Sequence, residues 1–533
     1  MLQARATVPG SVFEYLSHVR TRSKLQEQSA LMSIKRNILA NYVGQFYVTL
    51  IGIIMVPMYV KYMGAEAYGL VGFYAMLQAW FMLLDMGLTP AMSRETARFQ
   101  GGAIDALHLR RLLRSLEGVF IAVAVVGAVL LITGSSFIAN NWLKVQRLPL
   151  DEVQNAVMLI AVITALRWMC GLYRGVITGL ERLVWLNSMN IVMATGRFVL
   201  VIPLFIYVGT SPTLFFSYQL LVAIVELLAL VAQAYLLLPK VSAGQRTSWE
   251  WGPLREVFKF SLSISVAVML YLVGSQADKL LLSNLLTLTD YAYFTLAALL
   301  GGGVQILGAP ISTALVPRMT KLNAEANEAG LIRVYRNATQ LVCVMVIPAM
   351  LVLAFFAEQV LWVWTGNIEI VSKAKSILTP YALANGIQVL GALPLCIQLA
   401  KGDLKLHMVG SGLYTVLIIP AVIWGTLHFG ASGAGYAFLG VNVLFFAFWV
   451  PKLHGRLVTG LHTQWLLHDV MGIFIFSTAA AIIMNEFIIW PTTRLNVAVA
   501  VIMAGGVLCG VATLSSSYAR NLISRKWHAQ PAR

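Results

Sequence analysis

The sequence predicts an all-α polytopic membrane protein with 14 transmembrane helices, arranged as two six-helix lobes and two further C-terminal helices. Of its residues, 59% are hydrophobic and 11% are charged, and mean hydropathy is +0.78. Apolar runs long enough to cross a bilayer core of about 30 Å, at about 1.5 Å per residue, recur along the chain. Lys and Arg gather in both tails and in alternate loops, as the positive-inside bias requires. The formal charge of +16 therefore reflects topology rather than nucleic-acid binding.

The first two apolar runs form a hairpin that enters the bilayer from the cytoplasm and returns to it. Residues 38–60 and 68–90 flank a short turn, with Arg36 before the first run and Arg94 after the second. The later spans of the first half are predicted at residues 118–139, 155–172, 187–208 and 213–238. A basic cluster of Arg110, Arg111 and Arg114 is expected in the loop before the third span.

The second half begins after the most hydrophilic break in the middle of the chain. Its spans are predicted at residues 260–283, 291–316, 341–363, 376–400, 408–428 and 433–450, followed by two more at 470–490 and 495–517. The predicted units are a basic cytoplasmic tail (1–36), an N-terminal lobe (37–240), a cytoplasmic inter-lobe loop (241–259), a C-terminal lobe (260–453), two extra helices (470–517) and a cytoplasmic tail (518–533). An even number of spans places both termini in the cytoplasm.

The second half also repeats short segments of the first. TDYAYFTLA (289–297) echoes AEAYGLVGF (65–73), and ALVPRMTKLNAE (314–325) echoes PAMSRETARF (90–99), at nearly the same offset along the chain. The offset corresponds to six spans. Because six is even, the halves form a parallel repeat about an axis along the membrane normal.

The loops contain nothing that indicates an enzyme. The longest predicted outer loop, residues 140–154, is too short to fold as a catalytic domain. The loops show no paired-carboxylate, nucleotide-binding or His-rich metal pattern. The four cysteines are scattered singly through apolar stretches, which favours buried apolar side chains over a disulfide framework or a zinc site. We therefore expect no catalytic residues, no metal and no bound cofactor.

The opening of the chain resembles Wzx-type polysaccharide flippases. The residues that carry the resemblance are Asn37, Asn41, MGAEAYGLVGF (63–73) and LLDMGLTPAMSRETA (83–97). This polysaccharide transport family belongs to the multidrug/oligosaccharidyl-lipid/polysaccharide exporter superfamily. The resemblance implies two lobes in a V around a central cavity, and transport by alternating access.

The same resemblance implies a cargo and a place in the cell. The cargo is a polyprenyl-diphosphate-linked oligosaccharide repeat unit, moved across the bacterial inner membrane for O-antigen, capsule or exopolysaccharide synthesis. Polysaccharide polymerase and chain-length proteins are the implied partners beside the lipid bilayer, and nucleic acid is not one. Coupling to H⁺ or Na⁺ is left open.

Three alternatives are weighed against this hypothesis. A multidrug or cation antiporter of the same superfamily prefers an acidic cavity, whereas Arg167 and Arg197 give a positive surplus. The peptidoglycan-precursor flippase, which similarly has fourteen helices, carries basic residues on its first two helices, whereas residues 37–60 and 68–84 are uncharged here. A membrane polysaccharide polymerase or ligase needs a long basic outer loop, which is missing from this sequence.

Charged residues at bilayer depth are the strongest candidates for a substrate site, since each costs at least about 2.5 kcal/mol at the membrane centre. Arg167, Arg197 and Glu226 fall near mid-depth in spans four to six, and Arg174 lies two helical turns from Arg167 on the same face. Guanidinium groups keep their charge when dehydrated and bind phosphate oxygens in pairs, so we predict a basic cavity wall for an anionic head group. The alternative is a structural ion pair of Glu226 with Arg197 or Arg167.

Five polar residues complete the predicted cavity and motif positions. Asn41 and Gln45 share one face of the first span, and Lys279 lies towards the outer end of the seventh. Asp278 is the candidate acid for a proton or sodium site. Asp85 is expected to hold the inner hairpin by bonding backbone groups near residues 87–90, with substrate contact as its alternative role.

Charges at equivalent places in the two halves predict an inner gate. The hypothesis is that cross-lobe ion pairs form among Arg94, Glu95, Arg98, Arg318, Lys321 and Glu325 when the lobes close on the cytoplasmic side. Such exposed pairs are individually weak, about 0–1 kcal/mol, which suits a gate that opens repeatedly. The alternative is that all of them are solvated topology charges.

Overall fold

The computed structural model describes residues 40–239 and 251–521. The predicted tail 1–36, Asn37, residues 240–250 of the inter-lobe region and residues 522–533 lie outside the described residues. Within the described ranges, regular structure is helical apart from a single β-bridge between Lys144 and Thr287.

Seven helices form the first half, joined by short connections. They are α1 (Ala40–Met63), α2 (Ala65–Phe81), α3 (Leu88–Gln100), α4 (Ala106–Thr133), α5 (Leu150–Gly179), α6 (Leu183–Tyr207) and α7 (Pro212–Leu237). Helix starts follow from capping chemistry. The Asp105 carboxylate accepts the His108 amide at 2.9 Å, and the Ser211 hydroxyl accepts the Leu214 amide at 3.2 Å ahead of α7.

Eight helices form the second half. They are α8 (Trp251–Leu285), α9 (Leu288–Ala324), α10 (Glu328–Phe355), α11 (Ala357–Thr365), α12 (Ile368–Lys401), α13 (Lys405–Leu457), α14 (Leu461–Phe487) and α15 (Arg494–Ser515). Helix α13 is two helices that meet at Gly430, where φ is 62° and ψ is −149°. Only glycine adopts this backbone conformation readily, which explains why the break is at Gly430. Gly430 lies between the two predicted spans 408–428 and 433–450.

Twelve helices of the described chain are long and apolar enough to cross a membrane. Helix α13 counts once among them despite its break at Gly430. The predicted all-α, multi-pass membrane fold is confirmed. The count of fourteen spans remains a prediction.

One predicted boundary is wrong for a clear physical reason. Arg110, Arg111 and Arg114 were expected in a loop, but α4 begins at Ala106 and contains all three. Leu109, Leu112, Leu113 and Leu116 recur at helical spacing and are buried, so the segment is an amphipathic helix end. Hydropathy alone stops a span at the first charges, whereas the helix continues with its charges on the outer surface of the lobe.

The two lobes share one hydrophobic core at the end predicted to face outside. Tyr68 and Phe73 of α2 belong to the same buried cluster as Leu288 and Phe294 of α9 and Tyr381 of α12. Each lobe also has a buried cluster of its own. That of the N-terminal lobe lies at the end predicted to face the cytoplasm, and that of the C-terminal lobe runs from the same end to Phe356. In this conformation the lobes therefore share a core at the end predicted to face outside. At the opposite end their cores are separate.

Close approach of α2 to α9 requires glycine at two positions. A Cβ on Gly72 would lie 2.6 Å from Thr295 Cγ2, and a Cβ on Gly69 would overlap the Leu288 backbone oxygen. The helix pair consists of the echoed segments 65–73 and 289–297. Equivalent helices beside a two-fold axis are expected to meet in this way.

Hydrogen bonds cross between the lobes at the same end. Trp142 Nε1 donates to Ser283 Oγ at 3.0 Å, and Trp364 Nε1 donates to the Ile53 carbonyl at 2.9 Å. These bonds join the connection after α4 to α8, and α11 to α1. Opening of the outer end must break them.

The two C-terminal helices are attached to the C-terminal lobe by a buried ion pair. Arg336 of α10 donates to both carboxylate oxygens of Asp469 in α14, at 2.6 and 3.2 Å. Gln340 Nε2 adds a third bond to Asp469 at 2.7 Å, and the Asp469 side chain is fully buried. This pair has full hydrogen bonding and therefore a structural role.

Candidate functional site

Three guanidinium groups and one carboxylate lie together inside the N-terminal lobe. Arg174 Nη2 lies 2.5 Å from Glu226 Oε1, and Arg167 Nη2 lies 3.9 Å from Glu226 Oε2. Arg197 is close enough to Arg167 and Glu226 to interact with both electrostatically. We call these four residues the cationic cluster. Because arginine stays protonated, the cluster carries two more positive than negative charges with Glu226 ionised.

Neighbouring helices bring the cluster together. Arg167 and Arg174 are two turns apart on α5, so their side chains leave the same helix face. Helix α7 packs along α5 and contributes Glu226. Tyr74 of α2 adds an aromatic face, with the Arg167 guanidinium carbon 5.8 Å from its ring centroid.

Several buried donors of the cluster are unused. Nε and Nη2 of Arg167 and Nε of Arg197 have no hydrogen-bond partner in the described part of the chain, and neither does Glu226 Oε2. Buried charged groups are normally paired because dehydrating them is costly. The cluster therefore has hydrogen-bonding capacity left for an anionic ligand.

Backbone contacts hold Arg197 beside α7. Gln219 Nε2 donates to the Arg197 carbonyl at 3.0 Å, and the Tyr218 hydroxyl donates to the Gly196 carbonyl at 2.7 Å. The Arg197 guanidinium carbon lies 5.2 Å from the Phe198 ring centroid. The regular helix stops at Phe198 and resumes at Val201, so Arg197 stands at the interruption of α6.

The members of the cationic cluster differ in how far they are exposed. The side chains of Arg167 and Glu226 are 10% and 5% exposed, and Arg174 is 33% exposed. The exposed member thus lies on the side predicted to face the cytoplasm. Glu226 is closest to Arg174 and also lies within ion-pair distance of Arg167, one of its two predicted partners. Within the described residues, no salt bridge joins it to Arg197, the other predicted partner.

An apolar cavity of about 840 Å³ lies next to the lobe interface, between α1, α6, α9, α11 and α15. Its wall includes Met55, Val199, Leu200 and Ile502, and Arg494 is the charged residue at its edge. Arg494 is already engaged, since it donates to the Val363 and Trp364 carbonyls. Helix α6 thus contributes Arg197 to the cationic cluster and, directly after Phe198, residues to this cavity.

Asp278 lies in a buried polar group of the C-terminal lobe. It is 4% exposed, and its Oδ2 accepts the Tyr381 hydroxyl at 2.8 Å. Its Oδ1 and the buried Tyr291 hydroxyl have no partner in the described residues. Lys279 points elsewhere and donates to Gln276 Oε1 at 2.7 Å.

Asp85 contacts the backbone at the start of α3. Its carboxylate accepts the Thr89 amide at 3.2 and 3.3 Å and the Thr89 hydroxyl at 2.6 Å. These bonds fall within residues 87–90, where Asp85 was expected to hold the hairpin. Asn41 and Gln45 are exposed on α1, and neither belongs to the ion pairs of the cationic cluster.

The predicted gate charges pair within their own helices. Glu95 lies 2.9 Å from Arg98 and 4.0 Å from Arg94, and Lys321 lies 3.7 Å from Glu325. Arg318 is exposed near Lys321 on α9. A cross-lobe gate stays a prediction for a conformation in which the inner ends meet.

Two contributors to the sites were not anticipated. Tyr74 lies one residue beyond the motif at 63–73. Its position nearly three helical turns into α2 was the sequence feature that could have indicated it. Glu66, inside that motif, accepts the backbone amides of Gln146 and Arg147 at 2.5 to 3.1 Å and so anchors the outer connection. In the described part of the chain, no group of His, Cys, Asp and Glu could hold a metal ion.

Comparison with known proteins finds one family by sequence and several solved membrane proteins with a similar fold. Residues 34–323 match the family described as polysaccharide biosynthesis protein. No curated protein sequence matches significantly. The structure is similar to the lipid II flippase MurJ in an inward closed conformation, with a TM-score of 0.71 and 13% identity, covering 91% of this chain and 100% of that one.

A multidrug resistance MATE transporter of the MOP superfamily is similar in two conformations. The inward-facing structure has a TM-score of 0.65 at 15% identity, covering 78% of this chain and 96% of that one. The outward-facing structure has a TM-score of 0.54 at 16% identity, covering 81% and 96%. At these identities the similarity concerns the fold.

Proposed function

The chain belongs to the polysaccharide biosynthesis protein family, and from this premise we propose that it translocates a polyprenyl-diphosphate-linked oligosaccharide across the bacterial inner membrane. It would act as a transporter, without catalytic residues, in the synthesis of O-antigen, capsule or exopolysaccharide. Both termini would face the cytoplasm, where most of the basic residues lie. Polymerase and chain-length proteins would be its partners on the synthetic pathway.

The cationic cluster is the observation that supports this cargo most strongly. A diphosphate is a compact anion with several acceptor oxygens, and it matches a buried surplus of two positive charges with unused guanidinium donors. Arg174 would meet the head group first because it is the exposed member. Arg167 and Arg197 would then bind the phosphate oxygens with their free N–H groups.

The lipid tail needs an apolar path beside the head-group site. The cavity of about 840 Å³ offers one, since its wall is almost entirely apolar and it begins two residues after Arg197 on α6. A polyprenyl chain there would keep contact with apolar surface while the head group is held by the cluster. One helix would thus serve both parts of the cargo.

The arrangement of the cores supports alternating access. The lobes share a core at the predicted outer end and have separate cores at the predicted inner end, which is the state that admits cargo from the cytoplasm. Release would require the outer core to separate and the inner ends to approach. Asp278 is the proposed site for H⁺ or Na⁺ coupling, because its buried Oδ1 has no partner in the described residues.

Two candidates from the same superfamily are less well supported. A cation antiporter is disfavoured by the positive surplus of the cluster. A peptidoglycan-precursor flippase would also carry a polyprenyl diphosphate, but the buried cations here lie on α5 and α6 rather than on α1 and α2. Restoring growth to cells that lack their peptidoglycan-precursor flippase would favour that candidate.

The proposal is tested with the full chain in vesicles and a fluorescent polyprenyl-diphosphate disaccharide as the probe. Arg197→Ala should slow movement of the head group between leaflets by more than about tenfold, because it removes a charge-assisted contact. Arg197→Lys should restore only part of the rate, since an ammonium cannot bind two phosphate oxygens in a planar fork.

Arg182→Ala is the matched control, because Arg182 is an exposed arginine at the turn before α6. It should move the probe at the unaltered rate. An Arg197→Ala protein that is folded, correctly inserted and fully active would contradict the proposed head-group site.

A further inference from the structure

A second cavity lies inside the C-terminal lobe, apart from the cationic cluster and the interface cavity. It has a volume of about 590 Å³ and is enclosed by α8, α12 and both halves of α13. Pockets of this size bind small molecules. Its wall includes Leu395, Phe445, Phe446 and Trp449, which give it an apolar and largely aromatic surface.

The uncharged lining of this cavity excludes charged ligands. None of the described residues that line this cavity is Asp, Glu, Lys or Arg, and burial lowers the pKa of His407, the one lining histidine, below its usual value. A charged ligand would be dehydrated there without a counter-charge, at high cost. The ligand that fits is neutral.

One buried polar atom is left without a partner. Gln398 lines the cavity, is 1% exposed, and its Oε1 has no hydrogen-bond partner in the described structure. The deeper polar groups are already engaged, since Gln388 accepts from Gln305 at 2.6 Å and Asn442 donates to the Tyr414 hydroxyl at 3.2 Å. An unpaired buried amide oxygen is costly, so a ligand with a single N–H or O–H donor is favoured here.

The cavity opens next to the turn between α12 and α13. Leu399, Leu404 and Met408 line it and are 41%, 36% and 37% exposed. This turn lies at the predicted cytoplasmic interface of the bilayer, where Lys401 and Lys405 flank it. Gln398 is adjacent to this opening in sequence, and the lining continues along α12 through Leu395 and Gly391 to Ile387.

We propose that this cavity binds a neutral, single-chain lipid from the surrounding bilayer. A hydroxyl of the lipid donates to Gln398 Oε1, and its hydrocarbon chain lies against Phe445, Phe446 and Trp449. Bound lipid stabilises the packing of α8 against α13, since it occupies space that would otherwise be void. The assignment does not depend on the proposed cargo, because none of these residues belongs to the cationic cluster.

The test uses the full chain in phosphatidylcholine nanodiscs, with a long-chain alcohol that carries a mid-chain diazirine as the probe. After illumination, peptide mapping should place adducts on α12 and α13. Unlabelled oleyl alcohol should compete up to about tenfold more strongly than oleyl methyl ether, which has the same chain and no donor.

Two substitutions separate the chain contact from the hydrogen bond. Gly391→Leu should abolish labelling, because a Cβ there has room 3.7 Å from Phe446 and its side chain would fill the cavity. Gly440→Leu on α13 is the control, since Gly440 is exposed with nothing within 4 Å of an added Cβ. Gln398→Leu should keep the labelling and erase the preference for the alcohol over the ether.

Three results would overturn the assignment. One is the lack of adducts on α12 and α13 in the unaltered protein. The second is labelling that Gly391→Leu does not reduce. The third is equal competition by alcohol and ether, which would mean that water satisfies Gln398.

Discussion

Two buried charge clusters, one in each lobe, differ in how fully their groups are paired. In the N-terminal lobe, Arg167 and Arg197 keep buried donors without partners in the described residues, and Glu226 forms ion pairs with Arg174 and Arg167. In the C-terminal lobe, Arg336 and Asp469 make two direct bonds, and Gln340 adds another. Both are buried charge clusters at membrane depth or near it, but only the first has capacity left for a ligand.

The difference teaches how to separate structural from functional charges in a membrane protein. Burial alone does not do so, since Asp469 is more buried than any member of the cationic cluster with a stated exposure. The number of unpaired hydrogen-bonding groups does separate structural from functional charges. An unpaired buried charge is costly, so a folded protein keeps one only where a ligand or another group binds to it. The comparison leads to four predictions.

The largest loss of stability is expected from breaking the Arg336–Asp469 ion pair. Asp469→Leu leaves Arg336 and Gln340 without their acceptor and should lower the free energy of unfolding by about 3–5 kcal/mol. Thermal unfolding of the purified protein in detergent measures this. Replacing both partners, with Arg336→Met and Asp469→Leu together, should recover most of the loss. A single variant as stable as the unaltered protein would remove the structural role of the pair.

The lobe interface should be the next most sensitive region. Gly69→Ala places a Cβ against the Leu288 backbone, which cannot move aside as a side chain can, and overpacking costs about 1–3 kcal/mol. Gln146→Cys and Thr289→Cys, whose native side-chain oxygens are 3.4 Å apart, report closure by disulfide formation in a Cys509→Ser background. Crosslinking should fall several-fold with Gly69→Ala. Gly302→Ala, where an added Cβ meets nothing within 4 Å, should leave it unchanged.

Substitution in the cationic cluster should change the free energy of unfolding in the opposite direction to substitution in the Arg336–Asp469 pair. Arg197→Met removes a buried charge that has an unused donor, so the free energy of unfolding should rise by about 1 kcal/mol. The same variant should lose transport of the polyprenyl-diphosphate probe. A drop in thermal stability comparable to that of Asp469→Leu would show that the two clusters are alike, and the comparison would fail.

The smallest effect is expected at Glu226. Glu226→Gln removes the carboxylate that engages Arg174 at 2.5 Å, so the positive surplus of the cluster rises from two charges to three. Binding of a soluble diphosphate headgroup analogue should strengthen by about two- to tenfold. Isothermal titration measures it, with Glu181→Gln at the exposed turn before α6 as the control. Weaker binding would assign Glu226 to holding the arginines in place.

The sequence was sufficient for the fold class and for singling out three buried charges of the N-terminal lobe. Apolar runs, alternate basic loops and the echoed segments each follow from membrane physics, and Arg167, Arg197 and Glu226 stand out because charge is rare at that depth. It did not identify Arg174 as the nearest partner of Glu226. That choice depends on the rotation of α5 against α7, which periodicity within one helix does not determine.

The Arg336–Asp469 pair shows the limit of reading spans from hydropathy. Arg336 precedes the predicted span 341–363, and Asp469 precedes the predicted span 470–490 by one residue, so both fall outside the predicted spans. In the structure, α10 and α14 continue through them, because the ion pair and Gln340 satisfy each charge inside the helix bundle. The error at α4 has the same origin.

The shared outer core also sets the energy landscape of the transport cycle. Opening that end exposes Tyr68, Leu288 and Phe294, and transfer of apolar surface to water costs about 25 cal/mol per Å². Without compensating contacts at the inner ends, the described conformation is the ground state and the outward-open form is an excited state. Cargo binding or a coupled ion must then supply the difference, so an empty transporter should rest with its binding site facing its source of cargo.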